Sequence, residues 1–185
     1  MEPGDAVMTE SRAIEVLFSA AEIAHRNDAL ARQIADQMGS EIQVIAVLKG
    51  SFVFAADLIR ALHGAGVRPR IDFMTLSSYG AARQSSGDVA IQRDLSDGVA
   101  GQDILLVDDI LESGRTLAFA KRLLNDRGAR SVKLCILLDK PGKRAQPLEA
   151  DYVGFVCPDR FVVGYGLDYA HYYRELPFIG VVAES

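Results

Sequence analysis

Side chains that hold metals or covalent cross-links are scarce in this sequence. Its 185 residues include two cysteines, Cys135 and Cys157, and three scattered histidines, with no metal-ligand spacing among them. A zinc site is therefore not expected, and the cysteines, each inside an apolar stretch, read as buried free thiols in a reducing compartment. No run approaches the roughly 18 apolar residues of a spanning helix. Met1 to Glu10, with Glu2, Asp5 and Glu10, lacks the apolar core of a signal peptide. The expectation is a cytoplasmic chain with no membrane partner. An excess of positive charge is missing too. The formal net charge of −5 argues against non-specific binding to nucleic acid, although it leaves room for a local basic pocket. What remains, 49% hydrophobic and 24% charged residues, is ordinary for a globular chain with one sizeable core.

Neither an internal repeat nor a low-complexity linker interrupts the chain. Ser19-Ala20-Ala21-Glu22 fits a capping box, and Ile23, Leu30, Ile34 and Met38 continue at helical spacing to Gly39. Ile42 to Leu48 reads as a strand, followed by a helix to about Leu62 and a second strand from Val67 to Leu76. Ser77 to Ser86 reads as a mobile loop and Val89 to Arg93 as a short hairpin partner. A strand ending near Asp109, a helix, a turn at Gly128 and a strand from Val132 to Leu138 follow. This order predicts a parallel sheet with helices on both faces. After Lys140-Pro141-Gly142, short pieces (Tyr152 to Val156, Phe161 to Val163, Phe178 to Val182) alternate with proline and glycine. They predict a small irregular subdomain over the sheet.

The densest chemistry lies between Ile104 and Thr116: Ile-Leu-Leu-Val-Asp-Asp-Ile-Leu-Glu-Ser-Gly-Arg-Thr. An apolar run ends in adjacent carboxylates and leads through a small polar loop into a helix-forming segment, Leu117 to Asn125. Such a run reads as a buried parallel strand whose carboxyl end faces a ligand. The loop can turn several backbone N–H groups onto a phosphate, aided by the helix dipole. Ser113 and Thr116 add hydroxyls, and Gly114 allows close approach. Asp108 and Asp109, one step back, are placed to accept hydrogen bonds from sugar hydroxyls. An ordinary turn capped by Ser113 would explain the loop alone. It would not explain two acids at the end of a buried strand, because unpaired buried carboxylates are costly. Phosphate in the loop and sugar on the acids imply a ribose 5-phosphate.

Weaker candidates sit on the same rim. Lys49 alone would be a solvated charge, but the neighbouring Gly50 and a helix opening at Ser51 permit an anion site. Ser78-Tyr79-Gly80 lies in the polar loop, and Lys140 ends the strand from Val132. Phe161-Val162-Val163 has a core composition. Asp168 and Arg174 flank an aromatic-rich stretch, Tyr165 to Tyr173, where a plain salt bridge would also account for them. His171 between them reads as structural.

Taken in order, these segments resemble the hypoxanthine-guanine phosphoribosyltransferases of the type I phosphoribosyltransferase family. The resemblance runs from Leu48-Lys49-Gly50-Ser51 to Gly180 and includes Val107-Asp108-Asp109-Ile110, Leu138-Asp139-Lys140-Pro141 and Val162-Val163-Gly164-Tyr165-Gly166-Leu167-Asp168-Tyr169. It implies one α/β domain over residues 1–185, a parallel twisted sheet flanked by helices (core about 40–140). A small irregular hood from about 141–185, with part of the N-terminus, completes it. It also implies phosphoribosyl diphosphate and a 6-oxopurine as substrates, Mg2+ as cofactor, and a homodimer or homotetramer.

By the same resemblance Lys49 and Gly50 bind pyrophosphate, and the peptide before Lys49 is cis. Ser78 and Tyr79 lie on a lid, Asp108 and Asp109 hold the ribose, and Glu112, Ser113, Gly114, Arg115 and Thr116 hold the 5′-phosphate. Lys140 meets the C6 oxygen, Phe161 stacks on the base and the Val162 backbone reads its far edge. Asp168 positions magnesium, and Arg174 meets pyrophosphate. One position departs from the family, which usually has Asp where this chain has Glu112, the residue expected to exchange a proton with purine N7. Two alternatives remain: a xanthine-preferring transferase, and a nucleotide-sensing RNA-binding regulator using Lys121, Arg122, Arg127, Arg130 and Lys133.

Overall fold

The computed structural model describes residues 14–78 and 89–182. Among them are nine strands and three α-helices: β1 (Ile14–Phe18), α1 (Ala20–Met38), β2 (Glu41–Leu48), α2 (Phe52–Gly64), β3 (Arg68–Ser78), β4 (Val89–Arg93), β5 (Asp103–Leu111), α3 (Arg115–Asp126), β6 (Ser131–Asp139), β7 (Tyr152–Val156), β8 (Val162–Val163) and β9 (Ile179–Val182). Six strands form one sheet in the order β4-β3-β2-β5-β6-β7. Every neighbouring pair is parallel except β3 with β4. The apolar runs of β2, β5 and β6 occupy its interior, where both faces of a strand are covered and an unbroken hydrophobic sequence is required.

Alternation along each strand sorts the core into two layers. Val44, Ala46, Leu105, Val107, Cys135 and Leu137 pack with Ile23, Leu30 and Ile34 of α1 and with Phe54, Leu58 and Leu62 of α2. Ile45, Val47, Ile104, Leu106, Leu134 and Ile136 meet Leu117, Ala120 and Leu124 of α3 on the opposite face. The capping box opens α1: Ser19 N donates to Glu22 Oε2 at 2.8 Å, and Glu22 N donates back to Ser19 Oγ at 3.3 Å. Both cysteines are free and buried. Among the described residues no helix is long and apolar enough to cross a membrane.

Three features differ from the sequence reading. Ser77 and Ser78 are not loop but the end of β3, because β4 supplies partners for them in Ala90 and Val89. The remainder of the expected mobile loop, with Tyr79, lies outside the described residues. Tyr152–Val156, assigned above to the irregular subdomain, is instead the outermost strand of the main sheet, parallel to β6 from Cys135↔Tyr152 to Asp139↔Val156. Its crossover, residues 140–151, contains only a short 3-10 turn at Pro141–Lys143. The usual helical marker of a parallel connection is therefore missing from the sequence.

The hood is also a sheet, ordered β1-β9-β8 and antiparallel throughout. Part of the N-terminus was expected in the hood, but not as the strand β1. Val162, Tyr165, Leu167, Ile179 and Val181 continue the α1–α2 core layer, so hood and sheet share one apolar interior.

Candidate active site

Parallel register brings the distant motifs together. Ala46 of β2 lies beside Val107 of β5, and Ile110 and Leu111 lie beside Leu138 and Asp139 of β6. The carboxyl ends of all three strands therefore open on one edge, where open α/β sheets hold ligands. A cleft of about 680 Å3 lies there, roofed by the hood. Of the expected residues, Lys49, Gly50, Asp109, Glu112, Lys140, Phe161, Val162, Asp168 and Arg174 line it. Asp108 and the loop from Ser113 to Thr116 are not part of the lining but continue from it. Ser78 ends β3, while Tyr79 falls outside the described residues. Sequence reasoning did not single out Lys143, Asp159 and Arg160, which also line the cleft. No motif or periodicity marks them, since the crossover and the hood turn that carry them meet only in the folded chain.

The floor of the cleft explains two glycines. A side chain on Gly50 would overlap the Asp109 carboxylate, and one on Gly166 would overlap the Gly50 carbonyl. The hood turn thus rests directly on the Lys49-Gly50 loop, where the Leu48–Lys49 peptide is cis. Beneath the turn, Tyr165 has φ of 52°. Its hydroxyl donates to Asp57 Oδ2 at 2.6 Å and accepts from Asn27 Nδ2 at 2.9 Å.

The two adjacent acids each accept the next residue's amide: Asp109 N donates to Asp108 Oδ1 at 2.9 Å, and Ile110 N to Asp109 Oδ1 at 2.7 Å. Asp108 is 9% exposed. Burial, followed by the neighbouring Asp109 charge, holds the Asp108 carboxyl well above the usual carboxylate range, and burial raises Asp109 as well. A pair kept dry and mutually repelling has unmet capacity for donors or a cation. The loop beyond does not use Ser113 as a cap of the following helix. Gly114, left-handed at φ 76°, precedes α3, and no side chain caps that helix. Ser113 Oγ instead accepts from Arg115 N at 3.4 Å.

Across the cleft Lys140 is buried, and its Nζ donates to the Arg160 carbonyl at 2.8 Å. Phe161, expected in the core on composition, is 57% exposed and meets Tyr169 edge-on at 5.6 Å. One ring face of such an aromatic suits a flat ligand. Lys143 Nζ stands 2.7 Å from Asp159 Oδ1 and 3.5 Å from Glu112 Oε1. The Asp159 contact raises the Lys143 proton affinity. The salt bridge foreseen between Asp168 and Arg174 does form, at 2.6 Å. Asp168 Oδ2 also accepts from His171 N at 2.9 Å, whereas the His171 side chain is exposed. Arg174 Nη1 donates to the Gly166 carbonyl at 2.5 Å.

This arrangement has close counterparts among known proteins. Residues 15–170 match the phosphoribosyl transferase domain family. The hypoxanthine phosphoribosyltransferase of Salmonella typhimurium is 44% identical over 172 residues, covering 91% of this chain and 95% of that protein. A crystal structure of a Bacillus anthracis hypoxanthine-guanine phosphoribosyltransferase with HEPES in its active site has a TM-score of 0.85 at 45% identity, covering 91% of this chain and 98% of the other. A structure probing an invariant aspartate of HPRTs, with glutamate in its place, has a TM-score of 0.86 at 40% identity, covering 93% and 96%. With a matched domain spanning most of its length, the chain belongs to the phosphoribosyl transferase family.

Proposed function

We propose that this chain joins hypoxanthine or guanine to phosphoribosyl diphosphate, breaking the C1′–pyrophosphate bond and forming C1′–N9, to give IMP or GMP in purine salvage. The observation that carries this reading is the single cleft in which Asp109, Glu112, Lys140, Phe161, Asp168 and Arg174 face one another. Acids for a sugar, a cation for an oxo group, an exposed ring for a base and an arginine for a diphosphate coincide there. The family and its relatives support the same reaction.

Each residue then has a chemical task. Main-chain groups at Lys49 and Gly50, with Arg174, bind the leaving pyrophosphate and stabilise its developing charge. Asp108 and Asp109 accept the ribose hydroxyls. Ser113, Gly114, Arg115 and Thr116 bind the 5′-phosphate at the uncapped start of α3. Phe161 stacks on the purine and the Val162 backbone reads its far edge. Lys140, a donor, favours an oxo acceptor at C6 and disfavours the amino group of adenine. Glu112 takes the N7 proton as N9 attacks, a general-base effect typically worth about 10²–10⁴-fold. The lid role expected for Ser78 and Tyr79 falls at the edge of the described residues, with Tyr79 outside them.

Magnesium suits this donor set. Among the described residues no cluster of three or more His, Cys, Asp and Glu could hold a metal by itself. An ion that keeps several waters and takes the rest of its ligands from substrate phosphates needs only one or two carboxylates. Asp168, Asp108 and Asp109 would supply them. When bound, the ion neutralises the diphosphate and sharpens it as a leaving group.

The RNA-binding alternative loses its main support. Arg127, Arg130 and Lys133 are each paired with an acid: Asp94, Asp103 and Asp151. A cytoplasmic setting agrees with the two free buried thiols, and a homodimer or homotetramer is the family-based expectation. Steady-state assays of hypoxanthine, guanine, xanthine and adenine with phosphoribosyl diphosphate and magnesium test the proposal. Turnover of the oxopurines with adenine inert supports it. Preferred turnover of xanthine would reassign the substrate, and absence of turnover with any of the four would refute the activity.

A further inference from the structure

Arg144 follows the crossover turn that begins at Lys140, and its side chain is only 19% exposed. Its Nη1 donates to three carbonyls: Leu111 at 2.6 Å, Glu112 at 2.7 Å and Lys140 at 3.1 Å. Its Nε donates to the Leu148 carbonyl at 3.2 Å, and Nη2 pairs with Asp139. Apart from Leu148, these acceptors belong to two different strand ends. Leu111 and Glu112 lead from β5 into the phosphate loop, while Asp139 and Lys140 close β6. Backbone bonds run along the same seam. Lys140 N donates to Leu111 O at 3.0 Å, and Ala145 N and Gln146 N donate to Ser113 O at 2.9 and 3.2 Å.

An ion pair with Asp139 alone would need one charged donor. The observed pattern needs several donors in a fixed plane, which guanidinium provides and an ammonium does not. Carbonyls at the ends of a ladder, partly buried, must find partners outside it. Arg144 meets that need for the two backbone positions whose side chains face the same base in the proposed reaction.

We infer that Arg144 is a positioning residue that locks the proton-transfer carboxylate of Glu112 and the base-reading ammonium of Lys140 into one rigid unit. The inference rests on the roles proposed for those two residues. Without Arg144, the Glu112 and Lys140 carbonyls lose the donor they share and only the backbone bonds of the seam hold the two positions together, and a misplacement of about 1 Å costs on the order of 100-fold in rate.

Double-mutant cycles test this. Arg144→Ala and Arg144→Lys are made in the wild type, in Glu112→Gln and in Lys140→Ala, with kcat, hypoxanthine KM and melting temperature measured for each. The expected result is a fall in kcat of about 100-fold for Arg144→Ala. The fall should be much smaller once Glu112 is Gln, and the change in hypoxanthine KM much smaller once Lys140 is Ala. Free guanidinium should restore part of the Arg144→Ala rate without raising its melting temperature. Losses that multiply in full in both backgrounds would overturn the inference, as would an unchanged kcat in a folded Arg144→Ala. If the alanine variant does not fold, Arg144→Lys, which keeps a cation for Asp139, carries the same cycles. A wild-type kcat in Glu112→Gln would instead remove the general base, while the Lys140 cycle would still decide the role of Arg144.

Discussion

Replacing Asp108 by Asn separates what the acid pair does for stability from what it does for the substrate. Asp108 is buried beside Asp109, and both burial and that neighbour raise its affinity for a proton. An unfolded Asp titrates near 3.9. Between that value and the raised one, the folded chain binds the extra proton, so its stability falls as pH rises through this window and then levels off. Asn removes the loss, and its amide oxygen can keep the 2.9 Å acceptance from Asp109 N. Relief of one poorly compensated buried group is worth on the order of 1–2 kcal/mol, or about 2–8 °C in Tm for a chain of this length. The gain should grow as pH rises toward about 8 and be largely absent near pH ~3, below the unfolded value, where the carboxyl is neutral in both states. Catalysis should move the other way. Loss of a charged acceptor for a ribose hydroxyl costs about 1.5–3 kcal/mol, roughly 10–100-fold in KM for phosphoribosyl diphosphate. Thermal melts across pH and steady-state kinetics read both effects. A variant that melts below the wild type near pH 8, or gains equally at both pH values, would refute the reasoning.

Three further changes probe the rest of the cleft. Glu112→Gln should lower kcat by about 10²–10⁴-fold with the phosphoribosyl diphosphate KM nearly constant; steady-state assays check this, and an unchanged kcat removes Glu112 as the base. Lys140→Ala should raise the hypoxanthine KM by roughly 10-fold or more while sparing phosphoribosyl diphosphate. Equal losses for the two substrates would count against its reading of the base. Gly50→Ala places a methyl group on the Asp109 carboxylate, so kcat/KM for phosphoribosyl diphosphate should fall by about 100-fold, and wild-type kinetics would mean that Asp109 need not stay where it is.

Much of this molecule was readable before folding because its strongest signals are local. The capping box at Ser19 and Glu22, the apolar runs of β2, β5 and β6, and the paired acids before a glycine turn depend on neighbours in sequence. The failures have a common cause in long-range pairing. β1 is a strand because β9 lies beside it, and Ser77 and Ser78 are strand because β4 does. Tyr152–Val156 joins the main sheet although its crossover carries no helix. At the site, many residues named from motifs line one cleft, whereas the lining residues supplied by connections were not foreseen. Lys143, Asp159 and Arg160 have no pattern of their own, and Arg144 looks like any surface arginine until its carbonyl partners are brought to it. Phe161 is a different case: beside Val162 and Val163 its composition suits a core, yet it is exposed on the cleft, as its resemblance-based stacking role requires.

The Asp168–Arg174 contact can be a strut or a piece of the binding apparatus, and its surroundings separate the two. Both side chains are less than one-third exposed, and both line the cleft rather than the outer surface. Arg174 also lowers the proton affinity of Asp109, so its field reaches the end of β5 across the cleft. In the proposed reaction the cleft receives a diphosphate together with its divalent cation, and so has to hold charges of both signs within a few ångströms of each other. Left unpaired and partly buried, each would be costly. Paired, they neutralise one another until the ligand arrives, in a chain that carries a net charge of −5. Binding in the proposed reaction then exchanges one ion pair for two, Arg174 turning to the diphosphate and Asp168 to the cation. That exchange limits what the resting pair subtracts from affinity. The same logic holds for Lys143, held by Asp159 and within reach of Glu112: the cleft keeps its charges in pairs that the proposed substrate can replace.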